Sequence, residues 1–282
     1  MDKLVSTQDL HKQLAADDLV ILDASGHLPS AARSAADEFL VEHIADARYL
    51  DLPTLTDQSS AVPSALPSPE QFGLRLQQLG ITPNHRVVLY DDSALRSSAR
   101  AFFIFTMFGF GNVAVLDGGL AKWRAEGRPM EAGETKCSTS THVAFSANLS
   151  RIRDKASVLT NCASRQEQLV DARDEDRFSG ESEDSVHGLP GGHIPGSRHL
   201  HFARLLRPDG TFKTESEMRA LFDEAGIDLN RPITASCGSG MTAAVLLFAL
   251  DLLGHEQTAL YDGSWSEWGA DPDTPKETGY AR

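Results

Sequence analysis

The sequence is short of cysteine, of positive charge and of long apolar runs. Three cysteines occur in 282 residues: Cys137, Cys162 and Cys237. Their spacing fits neither a disulfide framework nor a zinc site, so a reducing, cytoplasmic location and no metal are expected. Lys and Arg number 26 against 40 Asp and Glu, a formal net charge of −14. Without clustered basic residues the chain cannot track a phosphate backbone, which excludes nucleic acid as a partner. An anionic substrate would need a local positive spot. No apolar stretch approaches the roughly 20 residues that span a bilayer. The start, Met1-Asp2-Lys3-Leu4-Val5-Ser6-Thr7-Gln8-Asp9, lacks the apolar core of a signal peptide. No membrane partner is expected.

What is present is a degenerate repeat. Val20-Ile21-Leu22-Asp23-Ala24 recurs as Leu169-Val170-Asp171-Ala172-Arg173, and Glu42-His43-Ile44 as Gly192-His193-Ile194. Leu79-Gly80-Ile81 returns as Ala225-Gly226-Ile227. Asp117-Gly118-Gly119-Leu120-Ala121-Lys122-Trp123 returns as Asp262-Gly263-Ser264-Trp265-Ser266-Glu267-Trp268. Four anchors in one order with nearly constant offset indicate duplicated domains, because the period is far too long for a solenoid. The expected domains are residues 1–130 and 151–282, with a linker at 131–150 in which Val143-Ala144-Phe145 is a candidate short strand.

Each half alternates strands and helices. His85–Tyr90 and Arg231–Ser236 read as buried strands. Ser68-Pro69-Glu70-Gln71 and Thr214-Glu215-Ser216-Glu217 read as capping boxes, and Gly80 and Gly226 as the matching stops. Ala99–Phe108 and Thr242–Leu253 are apolar nearly all round and are expected to be buried helices. The pattern predicts an α/β fold, each domain a mainly parallel sheet flanked by helices.

The halves differ where chemistry is expected. Cys237 ends a strand and enters Gly238-Ser239-Gly240-Met241-Thr242, which opens a helix. Loop amides and the helix dipole favour negative charge there, hence a nucleophilic thiolate. Aligned on Gly80 and Gly226, Cys237 falls on Asp91, and the loop Asp91–Ser98 has no glycine nest. The first domain therefore reads as catalytically silent and the second as active, with the first domain expected to form one wall of the site.

Three other readings of the loop are weaker. A buried core cysteine would not need glycines around it. A dinucleotide fingerprint fits Gly238–Ala243, but too little chain follows Asp262 to complete that sheet. A cysteine phosphatase would close its loop with arginine, where this chain has Ala243.

Asp171-Ala172-Arg173 with Arg177-Phe178, Gly192-His193-Ile194-Pro195-Gly196-Ser197, Cys237–Ala243 and Tyr261–Trp268 together resemble the tandem-domain rhodanese and 3-mercaptopyruvate sulfurtransferase family. The resemblance covers essentially the whole chain and implies two tandem rhodanese-like domains. It implies a Cys237 persulfide that takes sulfane sulfur from a small anionic donor. It also implies that Gly238, Ser239, Gly240, Met241 and Thr242 cradle the persulfide and that Arg177 grips the donor. No cofactor is implied; the acceptor would be cyanide or a thiol such as thioredoxin. The Cys-Gly-Ser-Gly loop is similar to the mercaptopyruvate branch. The thiosulfate branch, with a basic pair after the cysteine, is the alternative, and a non-enzymatic persulfide carrier is another.

Residue by residue, Asp171 is read as a structural acid orienting the loop or Arg177, and Ser239 as either a hydrogen-bonding or a merely small residue. Thr242 is read as a helix cap and His193 as a structural hydrogen-bonding residue. Trp268 is assigned to the core, Trp265 to a possible pocket wall, and Cys162 to a buried helix face. The chain departs from the family pattern in two places. A second arginine expected nine residues after Arg177 is Val186, followed by His187. The first half carries no histidine in Asp51-Leu52-Pro53 or Ser64-Ala65-Leu66-Pro67, so a relay built on Ser239 is not supported. That leaves Arg177 to hold the donor alone or with His187, Arg96 or Arg198.

Overall fold

The computed structural model describes residues 1–280. It divides into two compact units. Unit 1 comprises Met1–Asp57, Leu66–Asn148 and Arg207–Phe212; unit 2 comprises Gln58–Ala65, Leu149–Leu206 and Lys213–Arg282.

In unit 1 the elements run β1 (Leu4–Val5), α1 (Thr7–His11), β2 (Leu19–Asp23), α2 (Ala35–Val41), β3 (His43–Ile44) and β4 (Arg48–Tyr49). They continue with α3 (Pro69–Gln78), β5 (Arg86–Tyr90), α4 (Ser97–Met107), β6 (Val113–Leu116), α5 (Gly119–Ala125) and β7 (Met130–Glu131). Five strands form a parallel sheet in the order β1-β6-β5-β2-β4. β5 is a Val-Val-Leu run buried on both faces, as a parallel central strand requires. Ser68 and Gln71 close both halves of a capping box at the start of α3. Gly80, at φ +68°, takes the left-handed turn beyond its end.

Of the expected linker, residues 131–148 belong to unit 1 and 149–150 to unit 2. The amides of Gly133 and Ser140 donate to Leu40 and Gln77 carbonyls, and Phe145 packs edge-on against Phe72. Val143-Ala144-Phe145 forms no strand. Its residues fill a helix surface instead, with the Val143 carbonyl seated against Gly73, where a Cβ would come within 2.8 Å.

Unit 2 repeats the pattern with β8 (Ile152–Arg153), α6 (Lys155–Ser164), β9 (Gln168–Asp171), α7 (Glu175–Ser179), β10 (Arg198–His199) and α8 (Glu215–Glu224). β11 (Ile233–Ser236), α9 (Ala243–Leu252), β12 (Thr258–Tyr261) and α10 (Ser264–Trp268) follow. The sheet order β10-β9-β11-β12-β8 is again all parallel. Thr214 and Glu217 form the second capping box. α9 buries eight consecutive residues, Ala243–Leu250. Cys162 lies in α6 but is only half-buried. That helix is short and weakly amphipathic, and it buries just Val158 and Asn161.

The duplication extends to single hydrogen bonds. His43 Nδ1 meets the Phe39 carbonyl at 2.7 Å and its ring stacks on Phe39 at 4.0 Å. His193 does the same with Phe178, at 2.9 and 3.9 Å. Both are core supports. Trp123 and Trp268 each donate their indole N–H to a proline carbonyl, of Pro129 and Pro275.

Candidate active site

In unit 2 the chain leaves β9 for β10 on one side, then returns to β11 on the other. The strand order thus reverses between β9 and β11. In open parallel sheets a crevice opens at the carboxyl ends of such a pair. Ser236 and Asp171 are register partners there, and Cys237 and Ala172-Arg173 follow directly at those two carboxyl ends. The sulfur is placed there by topology. In unit 1 the equivalent reversal lies between β2 and β5, and the residue after β5 is Asp91.

Cys237 is 1 % exposed. Its loop is pinned from the turn after β12. Ser264 Oγ accepts from the Cys237 and Gly240 amides, at 3.1 Å each, and donates to the Tyr261 carbonyl at 2.9 Å. Trp265 N–H donates to the Cys237 carbonyl and Ser266 N–H to that of Gly238. The same bond exists in unit 1, where Leu120 N–H donates to the Asp91 carbonyl at 3.0 Å. Gly240 makes the loop's left-handed bend at φ +76°. Two loop amides are thus engaged by Ser264 and point away from the sulfur's anion role. Those of Gly238, Ser239, Met241 and Thr242 have no partner among the described residues and remain available to an anion. Thr242 occupies the N-cap position of α9 in αR geometry, and its hydroxyl makes no cap bond; a cap hydroxyl needs extended backbone to reach back to N3. Ser239 is half-buried and its hydroxyl is unbonded among the described residues.

Around this loop stands a charged cluster that the sequence displays only as a polar run. Asp171 grips Arg173, not Arg177: Oδ2 lies 2.7 Å from Nη2, and both side chains are almost wholly buried. Arg173 also donates to the Gly192 carbonyl and lies 4.6 Å over the Trp265 ring. Burial alone would lower its pKa, but the carboxylates of Asp171 and Asp184 and the nearby Cys237 sulfur raise it. Trp265 is therefore a floor under Arg173, with its indole N–H on the Pro190 carbonyl.

Asp184 is the hub. It is fully buried and receives Arg173 Nη1 at 3.4 Å on Oδ2, with Arg177 Nη1 at 3.3 Å and His187 Nδ1 at 2.9 Å on Oδ1. Burial pushes this carboxyl up; the His187 hydrogen bond and the charges of His187, Arg177 and Arg173 outweigh it and hold it at about 2. Arg177 is 20 % exposed and is held from its own helix by Asp174 at 2.5 Å. The His187 ring lies on the loop itself: a Cβ on Gly238 would come within 2.2 Å of His187 Cε1. Arg173, Asp184 and Ser264 carry no single-sequence signal beyond their motif neighbours. Arg198 instead lines a cavity of about 660 Å³ with Arg165 and Arg231, and Cys237 does not line it. Arg96 belongs to unit 1, beside Gly210. No group of three metal-ligating side chains occurs among the described residues.

Residues 6–126 and 154–271 each match the Rhodanese-like domain family. A mitochondrial thiosulfate/3-mercaptopyruvate sulfurtransferase of Arabidopsis thaliana is 35% identical over 98% of this chain and 78% of its own length. A 3-mercaptopyruvate sulfurtransferase of Escherichia coli is 37% identical over 92% of each chain. The crystal structure of SseA from Escherichia coli, described as a rhodanese fold, superposes with a TM-score of 0.85 at 33% identity, covering 94% of this chain and 99% of that one. With both domains matched and relatives aligned along nearly its full length, this chain belongs to the tandem-domain rhodanese and 3-mercaptopyruvate sulfurtransferase family.

Proposed function

We propose that the chain is a sulfurtransferase that takes the thiol sulfur of 3-mercaptopyruvate onto Cys237 as a persulfide and hands that sulfane sulfur to a thiol or cyanide acceptor. The observation that carries this reading is the position of Cys237 at the carboxyl end of a switch-point strand, in an amide-lined loop with the Arg173 guanidinium nearby. The second domain is the catalytic one, and the first, with Asp91 at the matching position, is silent.

The first half-reaction balances without a cofactor. The Cys237 thiolate attacks the donor's thiol sulfur. An S–S bond forms and the C–S bond breaks, with its electron pair leaving on pyruvate enolate. The persulfide S–H proton goes to the enolate carbon, giving pyruvate and a Cys237 persulfide anion. The unbonded amides of Gly238, Ser239, Met241 and Thr242 stabilise that anion. In the second half-reaction an acceptor thiolate, such as that of a thioredoxin, or cyanide attacks the outer sulfur and restores the Cys237 thiolate. Two covalent halves predict ping-pong kinetics. Arg177 binds the donor's carboxylate, and Asp171 acts through Arg173 to fix the loop's surroundings. Among the described residues no helix is long and apolar enough to cross a membrane, and the three cysteines are unpaired, which supports a reducing compartment such as the cytoplasm.

Steady-state rates with 3-mercaptopyruvate and with thiosulfate test the donor. A mercaptopyruvate preference is expected; a thiosulfate preference of tenfold or more overturns it. With excess cyanide an enzyme turns over repeatedly, whereas a carrier yields one equivalent and stops.

A further inference from the structure

The two arginines of this cluster are already neutralised. Arg173 and Arg177 face three carboxylates, those of Asp171, Asp174 and Asp184, all within hydrogen-bonding or ion-pair distance. An anionic donor arriving at this cluster meets no surplus of positive charge. One more group is fixed there. His187 is bound through Nδ1 to Asp184 Oδ1, the same oxygen that holds Arg177 Nη1. Its Nε2 has no hydrogen-bond partner among the described residues, and neither has Arg177 Nη2. One buried oxygen thus holds two side chains that each keep an unoccupied nitrogen, and the imidazole rests on Gly238, the residue after the nucleophile.

We infer that His187 is a donor-binding residue: with Nδ1 bonded to Asp184, its protonated Nε2 and Arg177 Nη2 together clasp the carboxylate of the donor. The charged groups gathered at this ring are Asp184, which holds it, and Arg177 from α7 and Arg173 from the end of β9, which share that carboxylate. Nδ1–H is committed to Asp184, so donating from Nε2 to a carboxylate requires the imidazolium. A histidine at this place makes affinity for an anionic donor depend on pH, which a fixed guanidinium would not.

The inference rests on the proposed sulfur-transfer reading, and the two fail separately. Loading of Cys237 in the unmodified protein tests the reading; the response of His187 variants tests the inference. Asn in place of His187 keeps a donor near the Nδ1 position for Asp184 and deletes Nε2. For His187→Asn the KM for 3-mercaptopyruvate is expected to rise at least about tenfold, with kcat changing by less than about threefold and discharge of a preloaded persulfide by cyanide unaffected. His187→Arg should recover most of the lost affinity and remove the rise of KM with pH that is expected of the unmodified protein. Inhibition by pyruvate, which needs no turnover, should weaken in His187→Asn by the same factor as the KM. A KM within twofold of the unmodified protein, a loss confined to kcat, or no recovery with arginine overturns the inference.

Discussion

The Ser264 hydroxyl accepts the amide hydrogen of Cys237 at 3.1 Å and, in the same position, that of Gly240. One side chain from the turn after β12 therefore sets the geometry of the sulfur loop after β11. Ser264 sits at φ +49° and is fully buried. Its counterpart in unit 1 is Gly119, also left-handed at φ +60°, where Asp91 needs no such brace.

Ser264→Gly keeps the backbone conformation but strands two buried amides and the Tyr261 carbonyl. Each unsatisfied group costs about 1–3 kcal/mol. A loss of at least about 3 kcal/mol in urea unfolding is expected, with sulfur loading slowed at least about tenfold. Unchanged loading in a folded variant would mean that the loop holds its shape without the brace.

Gly238→Ala places a methyl carbon 2.2 Å from His187 Cε1, against a ring that Asp184 ties down. The ring must turn away. We expect a rise in the donor KM while Cys237 remains reactive toward a small alkylating agent. Donor kinetics and alkylation rate, measured on one preparation, separate the two effects.

Asp184 gives the site a pH signature. Its carboxyl is held at about 2, below the unfolded value of about 3.9. A depressed folded value contributes stability above the unfolded pKa that is lost as pH falls toward about 2. Asp184→Asn should therefore be destabilised most at neutral pH, and its stability gap from the unmodified protein should narrow as pH drops from 5 to 2. Denaturant midpoints across that range check it; a constant gap contradicts it.

Asp23 behaves in the opposite sense. Burial raises its carboxyl to about 6, against the lowering hydrogen bonds from Ser25 and Tyr90, with Asp91 nearby raising it further. A raised folded value contributes stability present below about 3.9 and lost as pH rises through about 6. Asp23→Asn, which keeps an acceptor for the Ser25 amide, should stabilise the protein by about 1–3 kcal/mol at pH 8 and by much less at pH 5. Unfolding curves at the two values decide it.

Much of this was legible in the sequence, for physical reasons. Capping boxes and glycine stops are local, so Ser68–Gln71, Thr214–Glu217, Gly80 and Gly226 could be read directly. The repeat made Asp91 and Cys237 comparable before any coordinates. What was hidden was convergence. Arg173 lies in an acidic and basic run that looks like a solvated face, yet it is 1 % exposed, because partners from Asp171 to Asp184 and a Trp265 floor close over it. His187 was one of several nearby histidines until the structure seated it on Gly238. The stretch 131–150 read as a linker because the contacts its residues 131–148 make are irregular backbone bonds within unit 1, which leave no periodic trace.

The most direct test of the account is the mass of the protein after brief exposure to 3-mercaptopyruvate. A gain of one sulfur atom on the peptide bearing Cys237, reversed by cyanide and absent in Cys237→Ser, is the predicted result. Sulfur found on Cys137 or Cys162 instead, or full turnover by Cys237→Ser, would contradict it.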